Sequence, residues 1–189
     1  MNAPADSRRA LSLEDIDLDP DDELGDSHVH DGARQFVAFE ALGEVYGIEL
    51  TRVIEIAHSI KLTRLPGTPA FIGGVISLRG AVIPVVDLQA KFGSEPVEYG
   101  ARSGIIVVQI GERTVGVRAT RVTRIATFSE EQISPVPTFS NRIRTEFLQG
   151  LARQGDELMI VLDIDRLLSD EELAILEEHG AEPRAQGAN

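Results

Sequence analysis

An internal duplication is the feature of this sequence that most constrains its fold. Residues 47–56 (GIELTRVIEI) align in register with residues 116–125 (GVRATRVTRI) at an offset of 69 residues, matching at the glycine, the Thr-Arg-Val triplet and the final isoleucine. A second set of matches follows at an offset of 76: residues 71–75 with 147–151, and residues 84–88 with 160–164. Collinear self-similarity of this kind predicts two structurally similar units.

Each unit consists of short β-branched runs separated by glycine, proline or polar turns. No segment with helical periodicity is long enough to form a βαβ crossover, so we predict an all-β fold. A unit of about 70 residues must close or pair its sheet to protect the edge strands. This favours two small β-barrels packed together with a groove at their junction. We place the first barrel at residues 34–100 and the second at residues 101–168.

A longer helix is predicted only near the C-terminus, over residues 169–180. Ser169 and Glu172 have the spacing of a capping box, apolar residues follow at helical intervals, and a glycine ends the pattern. Ser129 and Gln132 repeat the capping spacing, but two nearby prolines limit that helix to about one turn.

Acidic residues are concentrated at the N-terminus, where residues 1–33 carry −8 of the formal net charge of −13. This segment has too few large apolar residues to offset its conformational entropy. We therefore predict a disordered acidic tail at residues 1–33 and a second disordered tail at residues 181–189. The overall negative charge argues against nucleic acid and anionic membranes as partners and favours proteins.

The sequence has no apolar run near the roughly 18 residues that span a bilayer, and its N-terminus has no signal-peptide pattern. It also contains no cysteine, so disulfides and thiolate nucleophiles are excluded. We expect a cytoplasmic protein.

Residues that could carry out chemistry are few and scattered. The sequence has no phosphate-binding loop, and His28 and His30, in the acidic tail, have no further metal ligands nearby. Asp87 and Asp163 end equivalent apolar segments of the two units. Their equivalence favours a shared turn role, in which each carboxylate accepts backbone hydrogen bonds. We predict no enzymatic activity, no cofactor and no metal site.

A cluster of basic residues occurs in the second unit: Arg113, Arg118, Arg121 and Arg124. Two interpretations stay open, a solvated strand face or contact with an acidic protein partner. The solvated face is the commoner use of such a cluster.

The segment VISLRGAVIPVVDL, at residues 75–88, resembles the signature of the CheW family of chemotaxis coupling proteins, usually written G-V-x-N-L-R-G-x-x-x-P-V-x-D-L. Further family-like segments occur in the same order and spacing: QFVAF at 35–39, YGI at 46–48, VIEI at 53–56, LP at 65–66, PAFI at 69–72 and VGV at 115–117. The resemblance extends from residue 34 to about residue 178.

This resemblance implies two five-stranded SH3-like barrels and a non-enzymatic adaptor. Such an adaptor links the cytoplasmic tips of methyl-accepting chemoreceptors to the regulatory domain of the histidine kinase CheA. It implies a cytoplasmic protein recruited to membrane-associated receptor arrays, where other CheW-like domains in rings are a further potential partner. Two alternatives stay open: an adaptor for a non-flagellar chemosensory kinase pathway controlling pili or surface behaviour, and a ligand-binding β-barrel domain.

The receptor contacts of the family correspond to seven residues: Val53, Glu55, Ile56, Gly74, Arg79, Val122 and Ile125. The four aliphatic residues form two equivalent pairs in the duplication and could equally be ordinary core. Arg79 is either a hairpin-tip residue, with Gly80 supplying a positive φ, or a guanidinium that makes a bidentate receptor contact.

The kinase contacts of the family correspond to Ser134, Thr138 and Phe139. Phe139 follows two prolines and is either a rigid, outward-facing anchor or a plug at the barrel end. The chain departs from the family pattern at Ser77, which replaces an asparagine, and at Thr120, which replaces an aspartate; Ser134 and Thr138 are neutral where some relatives have charges. These departures concern polar contacts rather than the fold.

Overall fold

The computed structural model describes residues 32–95, 97–137 and 145–180, without the side chains of residues 177–180. The described residues form β-strands and two short α-helices, with the following bounds: β1 Arg34–Ala41, β2 Glu44–Glu49, β3 Val53–His58, β4 Ile72–Leu78, β5 Ala81–Asp87, α1 Leu88–Lys91, β6 Gly104–Ile110, β7 Arg113–Ala119, β8 Arg121–Phe128, β9 Ile133–Ser134, β10 Leu148–Gln154, β11 Glu157–Leu162 and α2 Asp170–Gly180. The predicted tails fall almost wholly outside the described residues.

The strands form two sheets. One has six strands in the order β8-β1-β2-β11-β10-β9, and the other has five in the order β3-β6-β7-β5-β4. The all-β fold class is therefore confirmed, with one strand more than expected in the first sheet. That extra strand, β9, has only two residues and pairs Ser134 with Leu151 of β10. Its counterpart in the second sheet is the isolated bridge between Thr63 and Val75.

The two sheets do not correspond to the two halves of the chain, and the predicted barrel boundary at residue 100 is wrong. The first sheet takes β1 and β2 from the first half but β8 to β11 from the second. The second sheet takes β3 to β5 from the first half of the chain and β6 and β7 from the second half. The cause is local: only the 3-10 turn Leu50–Arg52 separates β2 from β3, and Thr120 alone separates β7 from β8, so each chain segment crosses directly into the neighbouring sheet.

The pairing registers repeat at the same offsets as the sequence. The parallel pair Val85↔Gly116 in the second sheet has its equivalent in Val161↔Gly47 in the first. A register shift at Val53/Glu55 in β3 recurs at the matching place in the pairing of β1 with β8. The duplication therefore extends to hydrogen-bond register and β-bulges as well as to strand identity.

Three apolar clusters hold the fold together. One fills the interior of the first sheet around Phe36, Phe128 and Met159, and one fills the second around Ile76 and Ile105. The largest cluster joins residues of both sheets with the helix α2, and we call it the seam. Strands β1 and β6 are buried on both faces because alternate side chains enter a barrel interior and the seam.

Helix α2 begins with the capping box predicted from the sequence. The Glu172 amide donates to the Ser169 hydroxyl at 3.2 Å, and the Ser169 amide donates to the Glu172 carboxylate at 2.9 Å. Leu173 and Leu176 of this helix are buried in the seam. Glu172 also forms an ion pair with Lys91 of α1, which ties the two helices together. The shorter capping box at Ser129 is present too and initiates the 3-10 turn Glu130–Gln132.

We predict that Gly74→Ala strongly destabilises the fold. Gly74 has φ of 143°, and a Cβ atom there would lie 2.3 Å from the Thr63 carbonyl oxygen. Because a backbone atom cannot move aside as a side-chain tip can, the free energy of unfolding should fall by more than about 2 kcal/mol. Urea denaturation measures this. The matched control is Gly100→Ala, since a Cβ there meets no atom within 4 Å. Equal denaturation midpoints for both variants would contradict the prediction.

A second prediction concerns pH. Burial alone would raise the pKa of Glu172, but hydrogen bonds from Lys91 and Ser169 outweigh it, and the pKa lies below its ordinary value. The stability that this carboxylate contributes is therefore present above its unfolded pKa of about 4.3 and is lost as the pH falls through the lower folded value. Glu172→Gln should reduce the free energy of unfolding at pH 7, by less than about 1 kcal/mol for a partly exposed pair.

The difference in unfolding free energy between this variant and the parent should shrink between about pH 5 and pH 3. Glu171→Gln, at an exposed neighbour in the same helical turn, is the control and should show no such pH-dependent difference. A difference that stays constant with pH would show that the carboxylate charge is not the cause.

Candidate functional site

A buried carboxylate and an exposed guanidinium meet at one end of the second sheet. Glu55 of β3 is only 8% exposed. Its Oε2 lies 2.8 Å from Nη2 of Arg79, which stands at the turn between β4 and β5 and whose side chain is 72% exposed. The register shift at Val53/Glu55 turns the carboxylate towards the protein interior. The ion pair therefore links β3, one edge strand of the second sheet, to the β4–β5 hairpin at the other edge.

The backbone at Arg79 is held in an unusual conformation. Arg79 has φ of 50° and Gly80 has φ of 86°, as in a two-residue hairpin of type I′. Gly80 thus has the positive φ expected from the sequence. Arg79, which is not a glycine, also has a positive φ and is therefore strained. Asparagine or glycine would adopt this conformation with less strain. The ion pair with Glu55 provides a side-chain interaction that only a cation at this tip can make.

Glu55 has unused hydrogen-bonding capacity. Its Oε1 atom is buried and has no hydrogen-bond partner among the described residues. A desolvated carboxylate oxygen without a donor is unfavourable, by roughly 1–3 kcal/mol or more. Because this oxygen is buried, the pair presents to a partner only the further hydrogen bonds that Arg79 can donate.

The four aliphatic candidates divide between core and surface. Ile56 is 3% exposed and belongs to the seam. Val53 and Val122 are partly buried and pack against the edge of the seam from equivalent positions in β3 and β8, and Ile125 is also partly exposed. The structure also places Ile54 at the surface, 48% exposed beside Glu55. The exposure of Ile54 does not follow from the sequence, because strand alternation cannot show a bulge.

Gly74 lies away from the exposed surface. It is buried, and its backbone packs against Thr63 and Arg64. Ser77, which replaces the asparagine of the family signature, is exposed on β4 and pairs with Val82 of β5. The structure therefore pairs buried Glu55 with exposed Arg79, places Ile54, the chain neighbour of Glu55, at the surface, and gives Gly74 a packing role.

The first sheet has an equivalent ion pair with its charges reversed. Arg124 of β8, which aligns with Glu55 in the duplication, pairs with Glu157 at the start of β11. Both side chains are more exposed than Glu55, at 35% and 67%. The two ends of the pseudo-symmetric fold are thus electrostatically different, and the buried carboxylate occurs in only one of these two pairs.

The basic cluster of the second unit is partly neutralised within the chain. Arg121 lies 3.6 Å from a Glu40 oxygen, and Arg124 pairs with Glu157. Arg118 lies 3.8 Å from Asp87. These contacts favour intramolecular roles for much of the cluster.

The two strand-end aspartates behave as the duplication predicts. The Asp87 carboxylate accepts hydrogen bonds from the backbone amides of Gln89 and Ala90, and the Asp163 carboxylate accepts one from the amide of Asp165. Their own amides donate to Phe71 and Phe147, each at 2.8 Å. Asp87 and Asp163 therefore share a capping role.

The candidate kinase contacts are described only in part. Ser134 is exposed on β9, beside Leu151. Thr138 and Phe139 lie outside the described residues, so their proposed role stays a prediction.

Other kinds of site are scarce in the described part of the chain. It contains no group of three or more His, Asp or Glu residues placed to hold a metal ion. A depression lined by residues 33–35 and 49–51 has Arg34 and Glu49 as its charged groups, and they pair with each other at 2.8 Å. Within the same described residues, no helix has both the length and the apolar character needed to span a bilayer.

Most of the chain is similar to proteins of one known family. The sequence matches the model of the CheW-like domain over residues 35–172. The chain belongs to the CheW family. The family resemblance inferred from the motif at residues 75–88 is therefore confirmed, and with it the prediction of a chemotaxis adaptor.

Curated relatives and a solved structure agree with this assignment. The chain is 38% identical over 144 residues to the chemotaxis protein CheW of Klebsiella aerogenes, a match covering 76% of this chain and 87% of that protein. It is 31% identical over 149 residues to the CheW protein of Treponema pallidum, covering 77% of this chain and 88% of the relative. The crystal structure of the scaffolding protein TtCheW from Thermoanaerobacter tengcongensis has a TM-score of 0.66 and 33% identity, covering 71% of this chain and 91% of that one.

Proposed function

We propose that this CheW-family adaptor couples the cytoplasmic tips of methyl-accepting chemoreceptors to a CheA-type histidine kinase, and that it does so without catalysing a reaction. The observation that carries the receptor part of this proposal is the Glu55–Arg79 pair, in which a buried carboxylate holds an exposed guanidinium. The same proposal places the protein in the cytoplasm, recruited to membrane-associated receptor arrays.

The pair has the properties of a polar recognition point. Glu55 holds Arg79 by one carboxylate oxygen, so the guanidinium is fixed in position while most of its surface remains exposed. A fixed planar guanidinium makes paired hydrogen bonds at a lower entropic cost than a flexible one. A receptor side chain with an acceptor group could therefore take hydrogen bonds from the exposed N–H groups of Arg79.

Apolar contacts around this point supply the remaining binding surface. Ile54 is 48% exposed, and Val53 and Val122 have exposed portions at the edge of the seam. Isolated polar pairs add specificity, whereas most binding free energy in protein interfaces comes from desolvated apolar anchors. We propose that a receptor helix packs on these aliphatic side chains and places its polar group on the Glu55–Arg79 pair.

Receptor binding should be weakened by Arg79→Ala and almost as much by Arg79→Lys. Lysine keeps the charge but removes the planar fork, so a bidentate contact would be lost in both variants. We expect a loss of about 1.5–3 kcal/mol in receptor affinity, with unchanged kinase affinity, measured by titration calorimetry with receptor-tip and kinase fragments. Arg166→Ala is the matched control, because Arg166 is also 72% exposed and also pairs with a carboxylate, that of Asp163.

Glu55→Gln separates a direct role of Arg79 from an indirect one. If Arg79 contacts the receptor, Arg79→Ala should still weaken binding when Glu55 is already glutamine. If Arg79 only neutralises Glu55, the Glu55→Gln background should abolish most of the effect of Arg79→Ala. Substantial rescue by Lys, removed by added salt, would show instead that only a positive charge is required.

On the kinase side, we propose contact through Ser134, Thr138 and Phe139. Support comes from the family positions and from Ser134, which is exposed on the edge strand β9. Phe139→Ala should weaken kinase binding by more than about 2 kcal/mol and leave receptor binding nearly unchanged, as expected for an aromatic anchor. Calorimetry with both fragments and a thermal denaturation curve test this. Equal loss of both affinities, or unfolding, would make Phe139 a core residue.

A further inference from the structure

A second polar cluster lies at the other end of the second sheet, and Arg118 of β7 is at its centre. The Arg118 side chain is only 19% exposed. Its guanidinium carbon lies 3.4 Å from the centroid of the Tyr99 ring, so one planar face is covered. The nearest carboxylate oxygen, Asp87 Oδ2, is 3.8 Å away, beyond hydrogen-bond distance. Among the described residues, no acceptor hydrogen-bonds to this desolvated cation.

Asp87 cannot turn to meet Arg118 because its carboxylate is already engaged. Its Oδ1 accepts the Tyr99 hydroxyl at 2.9 Å and the amides of Gln89 and Ala90 at 3.0 and 3.4 Å. These three hydrogen bonds fix the carboxylate as the cap of α1. Tyr99 and Asp87 therefore hold the guanidinium in place and leave the hydrogen-bonding edge of Arg118 unused.

A second cation stands nearby. Arg64 is exposed and follows Thr63, which pairs with Val75 of β4. The next strand of the sheet, β5, pairs with β4 and ends at Asp87, which is in register with Arg118. Adjacent glycines of β4 pack against both segments: a Cβ on Gly74 would lie 3.2 Å from the Arg64 Cα, and one on Gly73 would lie 3.4 Å from the Asp87 Cβ. Burial lowers the pKa of Arg118, electrostatic interactions with Tyr99 and Asp87 oppose this, and the charge of Arg64 lowers the pKa further. A bound anion would stabilise the charged form of both arginines.

We propose that Arg118 and Arg64 form an oxyanion-binding site beside Tyr99, which accepts a carboxylate or a phosphate group. A guanidinium stacked on an aromatic ring presents its N–H edge in a fixed plane, a geometry suited to two parallel hydrogen bonds with such a group. The site is separate from the Glu55–Arg79 pair, because Ala81 and Asp87 mark opposite ends of β5, about 20 Å apart at roughly 3.3 Å per residue. It does not depend on receptor coupling.

The test is a titration of the full chain with inorganic phosphate, and separately with acetate, at constant ionic strength set with sodium chloride. Nuclear magnetic resonance follows the Arg118 side-chain Nε–Hε signal and the Tyr99 backbone amide. We expect a saturable shift of both signals. Arg64→Gln should weaken the binding at least about tenfold, the effect of losing one charge-assisted hydrogen bond, and Arg118→Gln should abolish the shift at Tyr99.

The matched control is Arg153→Gln, an exposed arginine on β10 of the other sheet, which should leave the affinity unchanged. Tighter binding of phosphate than of acetate identifies a phosphate group as the preferred ligand, and the reverse identifies a carboxylate. The proposal is overturned if neither anion gives a saturable shift. It is also overturned if Arg64→Gln and Arg153→Gln have the same effect, which would indicate only diffuse electrostatics. Since Arg64 is exposed, Arg64→Gln should fold normally, and it tests anion binding even if Arg118→Gln fails to fold.

Discussion

The rest of the structure depends on the apolar seam between the two sheets. Strands β1 and β6 lie at its centre and are buried on both faces, so each carries a continuous apolar run instead of the polar and apolar alternation of a half-exposed strand. The seam also receives Leu173 and Leu176 of α2. Each barrel interior is small by itself, and the shared cluster supplies the burial that a unit of about 70 residues lacks. The candidate docking residues Val53 and Val122 are positioned by their contacts with its edge.

Much of this architecture follows from the duplication. The strands, their equivalence, the capping box of α2 and the capping roles of Asp87 and Asp163 could all be predicted, because each depends on residue types at short spacing. The way in which the strands pair could not be predicted from the sequence. Similarity identifies which strands are equivalent, but the copy with which each pairs depends on the short turn Leu50–Arg52 and on burial in the seam, which are properties of the folded chain.

The candidate site shows the same limit at the level of single residues. Family positions indicated Glu55 and Arg79, but nothing in the sequence shows that the two side chains form an ion pair or that one oxygen of Glu55 has no hydrogen-bond partner in the part of the chain that the structure describes. In simple alternation, Val53 and Glu55 would share a face and Ile54 would share the other with Ile56. The bulge separates Ile54, which is 48% exposed, from Ile56, which is 3% exposed. A one-residue irregularity thus decides which side chains are available to a partner.

The reciprocal exchange of strands has a consequence for the order of folding. During synthesis β1 and β2 emerge early, but their neighbours in the sheet are β8 and β11, and β11 ends at Leu162. The first sheet therefore cannot close until β11 has left the ribosome, whereas the second is complete once β7 has emerged at Ala119. Pairings of such long sequence separation slow folding, because the loop must close before any contact forms. The β1–β2 hairpin consequently has both of its outer edges unpaired until β8 and then β11 emerge.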